Sequence, residues 1–284
     1  MSYERRDFQF VCDDFHVTEE MKTHFNNDGF ILIRSVIDQK EMENVKKVLT
    51  ENGILKFKYE QDDGSGLKYQ MCCWNHPGDD VTGMLSRSQK IAGTMEQLLG
   101  GEVYHYHTKL MMKEAHTGGQ FNWHQDYGYW YNNGVLFPDM GSVMIAIDKA
   151  DKENGCLQIL PGSHKLGRID HVRVGGQMGA DLDRVTQAKK IFPLFHVQLN
   201  PGDALYFHSN LLHRSDQNLS DRRRWALICS YNRASNNPFR EHHHPFYTPL
   251  KMVPNSAIGE CRNFTISVDK DFINPVREHG TAEN

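Results

Sequence analysis

The sequence predicts a mainly β fold, an eight-stranded jelly roll with α-helices before and beside it. Three observations carry this expectation. From Val103 onward the chain breaks into short runs rich in Val, Ile, Tyr, Phe and Trp, separated by Gly, Pro, Asn and Asp, the pattern of a sandwich or barrel. About eight such runs can be counted, the number a jelly roll uses. Ahead of them, apolar residues recur at near-helical spacing.

Taken in order, Thr18-Glu19-Glu20-Met21 opens a helix with a capping pattern, and Asn26-Asn27-Asp28-Gly29 stops it. Phe30 to Val36 reads as a short apolar strand. Gln39 to Glu51 reads as a helix through Met42, Val45, Val48 and Leu49, and Ser88 to Leu99 as a third helix ending at Gly100-Gly101. The candidate strands are Val103 to Lys113, Asn122 to Tyr129, Ser142 to Asp148, Leu157 to Pro161, Phe195 to Leu199, Ala204 to Phe207, His213 to Gln217 and Trp225 to Tyr231. The organisation expected is one domain over 1–284: a largely helical support region at 1–100, a jelly-roll core at 101–235 and a C-terminal extension at 236–284. The stretch 167–192, with Gly175-Gly176 and Gly179 inside it, is long for a hairpin connection and is a candidate lid.

A net charge of -4 and a pI near 6.5 arise from charges spread along the chain, so no basic face is offered to nucleic acid. No apolar stretch approaches the roughly 18 to 20 residues of a membrane span, and Met1 to Asp7 is charged rather than signal-like. Cys12, Cys72, Cys73, Cys156, Cys229 and Cys261 include no C-x-x-C pair and fit free thiols in a reducing compartment. The tail Thr281-Ala282-Glu283-Asn284 carries no peroxisomal address. The cytoplasm is the expected location and a small molecule the expected partner, with oligomeric state left open.

The chemistry is concentrated in Trp123-His124-Gln125-Asp126, with His213 and Arg224 downstream. On a strand, residues i and i+2 share a face, so His124 and Asp126 can address one ion while a distant strand supplies His213. Two imidazoles and one carboxylate leave opposite corners of a metal open, as non-haem Fe(II) oxygenases require for a co-substrate and O₂. Set against this is a histidine merely hydrogen-bonded to a nearby carboxylate. Arg224, eleven residues after His213, together with Ser215, suits forked recognition of a carboxylate such as the distal one of 2-oxoglutarate. Rival histidines exist. His105 and His107 are also i, i+2 and could serve a cupin-like site with Glu114, although the glycine-framed motif is missing. His208 competes for the third ligand position, and His242-His243-His244 reads as an exposed loop or one over the pocket.

The chain resembles the phytanoyl-CoA dioxygenase family of Fe(II)/2-oxoglutarate oxygenases from Asp28 to about Pro238. The motifs are Asp28-Gly29-Phe30-Ile31-Leu32-Ile33, Trp123-His124-Gln125-Asp126, Asn154-Gly155-Cys156-Leu157 leading to Pro161-Gly162-Ser163-His164, Pro201-Gly202-Asp203, and His213-x-Ser215 with Arg224. The resemblance implies a double-stranded β-helix, with His124, Asp126 and His213 on iron and Arg224 and Ser215 on the co-substrate. Tyr127-Gly128-Tyr129-Trp130 and Tyr231-Asn232-Arg233 are similar to proline 4-hydroxylases and ectoine hydroxylases of that family. Met111 departs from them, standing where they carry an asparagine near the keto-acid end, with Lys109 the replacement contact. Trp130, Tyr127, Phe121 and Arg233 are candidate substrate contacts, weighed against core packing for the aromatics and a surface salt bridge for Arg233. The reaction implied is hydroxylation of a small polar or amino-acid-like metabolite. The alternatives are an acyl-CoA or lipid hydroxylase, a catalytically silent jelly-roll binding module, and a cupin-type dioxygenase independent of 2-oxoglutarate.

Overall fold

The computed structural model describes residues 6–11, 15–51 and 53–273; Cys12, the tail at 281–284 and residues 1–5 of the charged start lie outside them. The strands are β1 (Asp7–Gln9), β2 (Phe30–Arg34), β3 (Tyr59–Asp62), β4 (Lys68–Trp74), β5 (Val103–Lys113), β6 (Phe121–His124), β7 (Met140–Ala146), β8 (Leu157–Ile159), β9 (His171–Val174), β10 (Gln177–Ala180), β11 (Phe195–Val197), β12 (Ala204–His208), β13 (His213–Ser215), β14 (Arg224–Arg233) and β15 (Phe272–Ile273). The helices are α1 (Glu19–Asp28), α2 (Gln39–Glu51), α3 (Val81–Arg87), α4 (Thr94–Leu99), α5 (Asp126–Trp130), α6 (Leu182–Ile191) and α7 (Ala257–Glu260).

One sheet runs β1-β2-β12-β7-β14-β5-β4-β15, with β3 also on β4, and a second runs β11-β8-β13-β6. Its eight central members, β12-β7-β14-β5 facing β11-β8-β13-β6, are the predicted jelly roll, a double-stranded β-helix. Period-two alternation sets the layers. Ile31 and Ile33 of β2, Val143 and Ile145 of β7, and Leu227 and Cys229 of β14 pack outward with Phe25, Val45, Leu49 and Leu85 of the helices. Phe30, Leu32, Met144, Leu205, Phe207 and Ala226 point the other way, toward Leu157, Ile159 and Val197 of the second sheet. Both faces of the large sheet are therefore buried, which is why Phe30-Ile31-Leu32-Ile33 is apolar without interruption.

Local signals worked where the chain itself supplies the partner. Thr18 Oγ1 accepts from Met21 N, and Gly29 closes α1 at φ 80°. A reciprocal capping box sits at α2: Asp38 Oδ1 accepts from Glu41 N at 2.8 Å and Glu41 Oε2 from Asp38 N at 2.9 Å. Asp203 of Pro201-Gly202-Asp203 accepts from Ser35 N and Asn200 N, and Ser163 Oγ of Pro161-Gly162-Ser163-His164 accepts from Leu212 N. These two motifs pin loops together.

One expectation needs correction: the strand expected from Asn122 to Tyr129 ends at His124, and α5 follows. In the first hundred residues helix outweighs strand, and β1 to β4 also extend the large sheet on both sides of its jelly-roll strands. The third helix runs from a π-helical stretch at Gln89–Gly93 directly into α4, and it is preceded by α3, capped by Asp80. The stretch 167–192 holds the β9–β10 hairpin and α6, with Ile169, Ala180, Val185 and Ala188 packed with Trp123 and Leu212. At the C-terminal side, β15 pairs with β4, and Asn44 of α2 donates to the carbonyls of Ile258 and Gly259 in α7. No helix among the described residues is long and apolar enough to cross a membrane. Cys72, Cys73, Cys156 and Cys229 are buried free thiols.

Candidate active site

The register of β13 on β6 places His213 directly opposite His124, with ring centroids 4.0 Å apart. Each ring is oriented by the carbonyl two residues before it. His124 Nδ1 donates to Asn122 O at 2.7 Å and His213 Nδ1 to Leu211 O at 2.9 Å. A carbonyl can only accept, so the proton of each neutral ring sits on Nδ1 and Nε2 keeps its lone pair. Burial holds both imidazoles below their ordinary range, which favours that neutral form.

Asp126 completes the set by a turn rather than by strand alternation. Gln125 is extended at φ -114° and ψ 134°, and Asp126 then begins α5. Gln125 is fully buried and acts as an anchor, donating to Gly167 O and Asn210 O and accepting from Ile169 N. Ser142 Oγ donates to Asp126 Oδ2 at 3.0 Å. Asp126 Oδ1 stands 3.9 Å from Nε2 of both histidines. The three donor atoms lie within 4.8 Å of one another and are the one such trio of His, Cys, Asp or Glu among the described residues. Two imidazole nitrogens and one carboxylate oxygen, buried and oriented by second partners, fit a divalent iron.

The same cavity, about 70 Å³, is lined by Lys109, Met111, Phe121, Arg214, Ser215 and Arg224 besides the trio. Met71, Met144, Leu157, Phe207 and Ile228 complete its wall. Arg224 is only 3% exposed, and no described residue accepts from its Nε. Burial pushes its guanidinium down to about 10. The inner face of the large sheet is a ladder of cross-strand pairs, Arg224 with Lys113, Ala226 with Met111, Ile228 with Lys109 and Ser230 with His107.

Other predicted residues lie elsewhere. Tyr127 Oη donates to the carbonyls of Val135 and Leu136, and Trp130 packs edge-on against Tyr106 and His107; neither lines the cavity. Arg233 is at the far end of β14 from Arg224, 3.8 Å from Asp139, the surface ion pair that was its alternative. His208 accepts from Asn210 N and packs against His164. The cupin-like pair fails on geometry. The β5–β14 register slips between Ser230 and Tyr231, which pair with His107 and His105 and skip Tyr106. This bulge sends His105 to the other face, where it binds Asn75 O and Thr108 Oγ1, while Glu114 accepts from Trp225 Nε1. Sequence reasoning missed Ser142, Ser230, Met71 and Met144, for which alternation within β7, β14 and β4 was the signal.

The chain is 29% identical to the L-proline trans-4-hydroxylase of Streptomyces griseoviridis, over 83% of this chain and 94% of the relative. It is 24% identical to the ectoine dioxygenase of Nocardia farcinica, over 88% and 87% respectively. The crystal structure of EctD from S. alaskensis with 2-oxoglutarate and 5-hydroxyectoine superposes with a TM-score of 0.71 at 19% identity, covering 87% of this chain and 90% of that one. The epimerase SnoN from nogalamycin biosynthesis, at 18% identity over 83% and 94% of the two chains, superposes with a TM-score of 0.64 and shares the fold. The family model for phytanoyl-CoA dioxygenase matches residues 25–226, so the chain belongs to that family and is an iron- and 2-oxoglutarate-dependent dioxygenase.

Proposed function

We propose that the protein hydroxylates a small amino-acid-like metabolite of the proline type, with His124, Asp126 and His213 holding iron and Arg224 and Ser215 holding the distal carboxylate of 2-oxoglutarate. The observation that carries this reading is the buried Arg224. Among the described residues its Nε has no acceptor, and the residue lines the cavity that contains the three donors. A buried guanidinium without acceptors is costly, and a carboxylate supplies the forked pair it needs. Bound together, Fe(II), 2-oxoglutarate and O₂ supply the oxidising power that converts a C–H bond to an alcohol while succinate and CO₂ leave.

The residues of the chain do the rest. Asn122 O and Leu211 O keep the Nε2 lone pairs of the histidines aimed inward, and Ser142 keeps Asp126 Oδ1 turned toward them. Lys109 adds positive charge beside the trio, suited to the keto-acid end of the co-substrate. Phe121 and the apolar wall exclude water. The proline-hydroxylating relative supports a small substrate over an acyl-CoA.

The test is an anaerobic visible titration of the purified protein with Fe(II) and then 2-oxoglutarate. A charge-transfer band is expected only with both, and Arg224→Ala should need at least about tenfold more 2-oxoglutarate. Succinate release stimulated by L-proline or a related amino acid then identifies the substrate class. A folded protein that gives no band would sink the assignment.

A further inference from the structure

His171 opens β9 and is oriented in the same way as the two histidines of the trio. Its Nδ1 donates to the carbonyl of Ile169, two residues back, at 3.0 Å. A carbonyl only accepts, so the proton sits on Nδ1 and Nε2 keeps a lone pair. That lone pair accepts from the backbone N–H of Gln125 at 3.2 Å. Gln125 stands between His124 and Asp126, where β6 ends and α5 begins. Its N–H has left the strand ladder there, and a buried backbone donor needs a partner.

This contact is one of several from the same segment. Gly167 O accepts from the Gln125 side-chain amide and Ile169 N donates to its Oε1, so residues 167–171 grip Gln125 through both side chain and backbone. The His171 ring centroid lies 4.8 Å from that of Tyr129, whose ring is 5.7 Å from the ring of His124. A Cβ added at Gly128 would overlap the His171 ring, so glycine there is what lets α5 lie this close to it. Between the peptide that His171 holds and the Cα of Asp126 stand only the φ and ψ of Gln125, -114° and 134°. Ser142 of β7 fixes the Asp126 carboxylate itself. The direction of the chain that carries this carboxylate is left to the grip on Gln125.

We propose that His171 is a positioning residue of the metal site: by accepting from Gln125 N it sets the turn that aims the Asp126 carboxylate at the Nε2 atoms of His124 and His213. This rests on the trio being the metal ligands, and it adds a third histidine that takes no part in ligation.

The test is metal binding without turnover, by anaerobic calorimetric titration with Fe(II) and by the visible spectrum of the Co(II)-loaded protein. His171→Leu leaves the Gln125 N–H without its acceptor, and should weaken Fe(II) binding at least about fivefold and alter the Co(II) bands. His171→Gln, whose amide oxygen can accept, should bind within about twofold of wild type. Tyr129→Phe controls for loosened packing of the same hairpin. It removes the hydroxyl that donates to Met178 O, and should lower Tm while metal affinity stays within about twofold. The inference is overturned if folded His171→Leu binds Fe(II) as wild type does, if Tyr129→Phe loses as much affinity, or if His171→Gln recovers none. Should His171→Leu not fold, Gly128→Ala, which drives the ring off Gln125, decides in its place: weakened binding is expected, and wild-type binding overturns the inference. Asp126→Ala separates the two readings. If it loses the metal while His171→Leu keeps it, this inference alone fails; if it binds as wild type does, or wild type binds neither metal, the trio assignment falls and takes this inference with it.

Discussion

Asp126 has its two oxygens committed to different tasks, Oδ2 to Ser142 and Oδ1 to the space it shares with the Nε2 atoms of His124 and His213. Removing it takes away both the charge and the third donor, so Asp126→Ala should abolish succinate formation. His208 offers the contrast: it is buried and of the same residue type, yet it is occupied by Asn210 N and packed on His164. His208→Ala should keep most of the activity. Succinate assays on the two variants check this, and equal losses would show that the ligand set is wrong. Gln125, between the two ligands in sequence, shows why residue type alone does not identify a site residue: it is as deeply buried as they are, and it only ties three loops together.

At the scale of elements, the site depends on how strands are aligned and how loops are pinned. The β6–β13 register makes the two histidines face each other, and the β5–β14 bulge decides that His107 points inward and His105 does not. The connection from β7 to β8 is fixed at Gly155, where φ is 73° and an added Cβ would lie 2.4 Å from the carbonyl oxygen of Asp216. That carbonyl also accepts from the buried Lys113 Nζ. Gly155→Ala therefore meets both a left-handed backbone and a backbone clash, and should cost at least about 1 kcal/mol. A lower urea midpoint at unchanged m-value would be the sign of it; an unchanged midpoint would contradict the geometry.

Over the whole molecule, the buried histidines make stability depend on pH. Burial pushes His105 and His208 to about 3 and His171 to about 4, and holds His107 well below its usual value. The unfolded chain, with histidines near pH 6.5, binds protons that the folded chain refuses. The stabilisation is complete above about pH 6.5 and is lost as the pH falls toward 3, each group adding up to about 1.4 kcal/mol per pH unit. Calorimetry of the metal-free protein should show Tm falling from pH 7 to 5 with proton uptake on unfolding. A constant Tm across that range would refute it.

The sequence by itself determined the jelly roll and singled out His124, Asp126 and His213, which the fold gathers, and Arg224 and Ser215, which line the same cavity. Alternation and turn residues are local, and a few ligand types in fixed order are specific. It also determined α1 and α2, whose caps lie within their own first turns. The tertiary structure decided what depends on partners far away in the chain. A bulge visible only against β14 separated His105 from His107. A serine on β7 fixed Asp126 from sixteen residues away. The span of β14 set Arg233 at the opposite end from Arg224, beside Asp139, and the stretch 167–192 formed β9, β10 and α6, with Ala180 and Val185 in one cluster with Trp123. Side-chain direction follows from register, and register is a property of two strands at once, so no single run of residues could have revealed it.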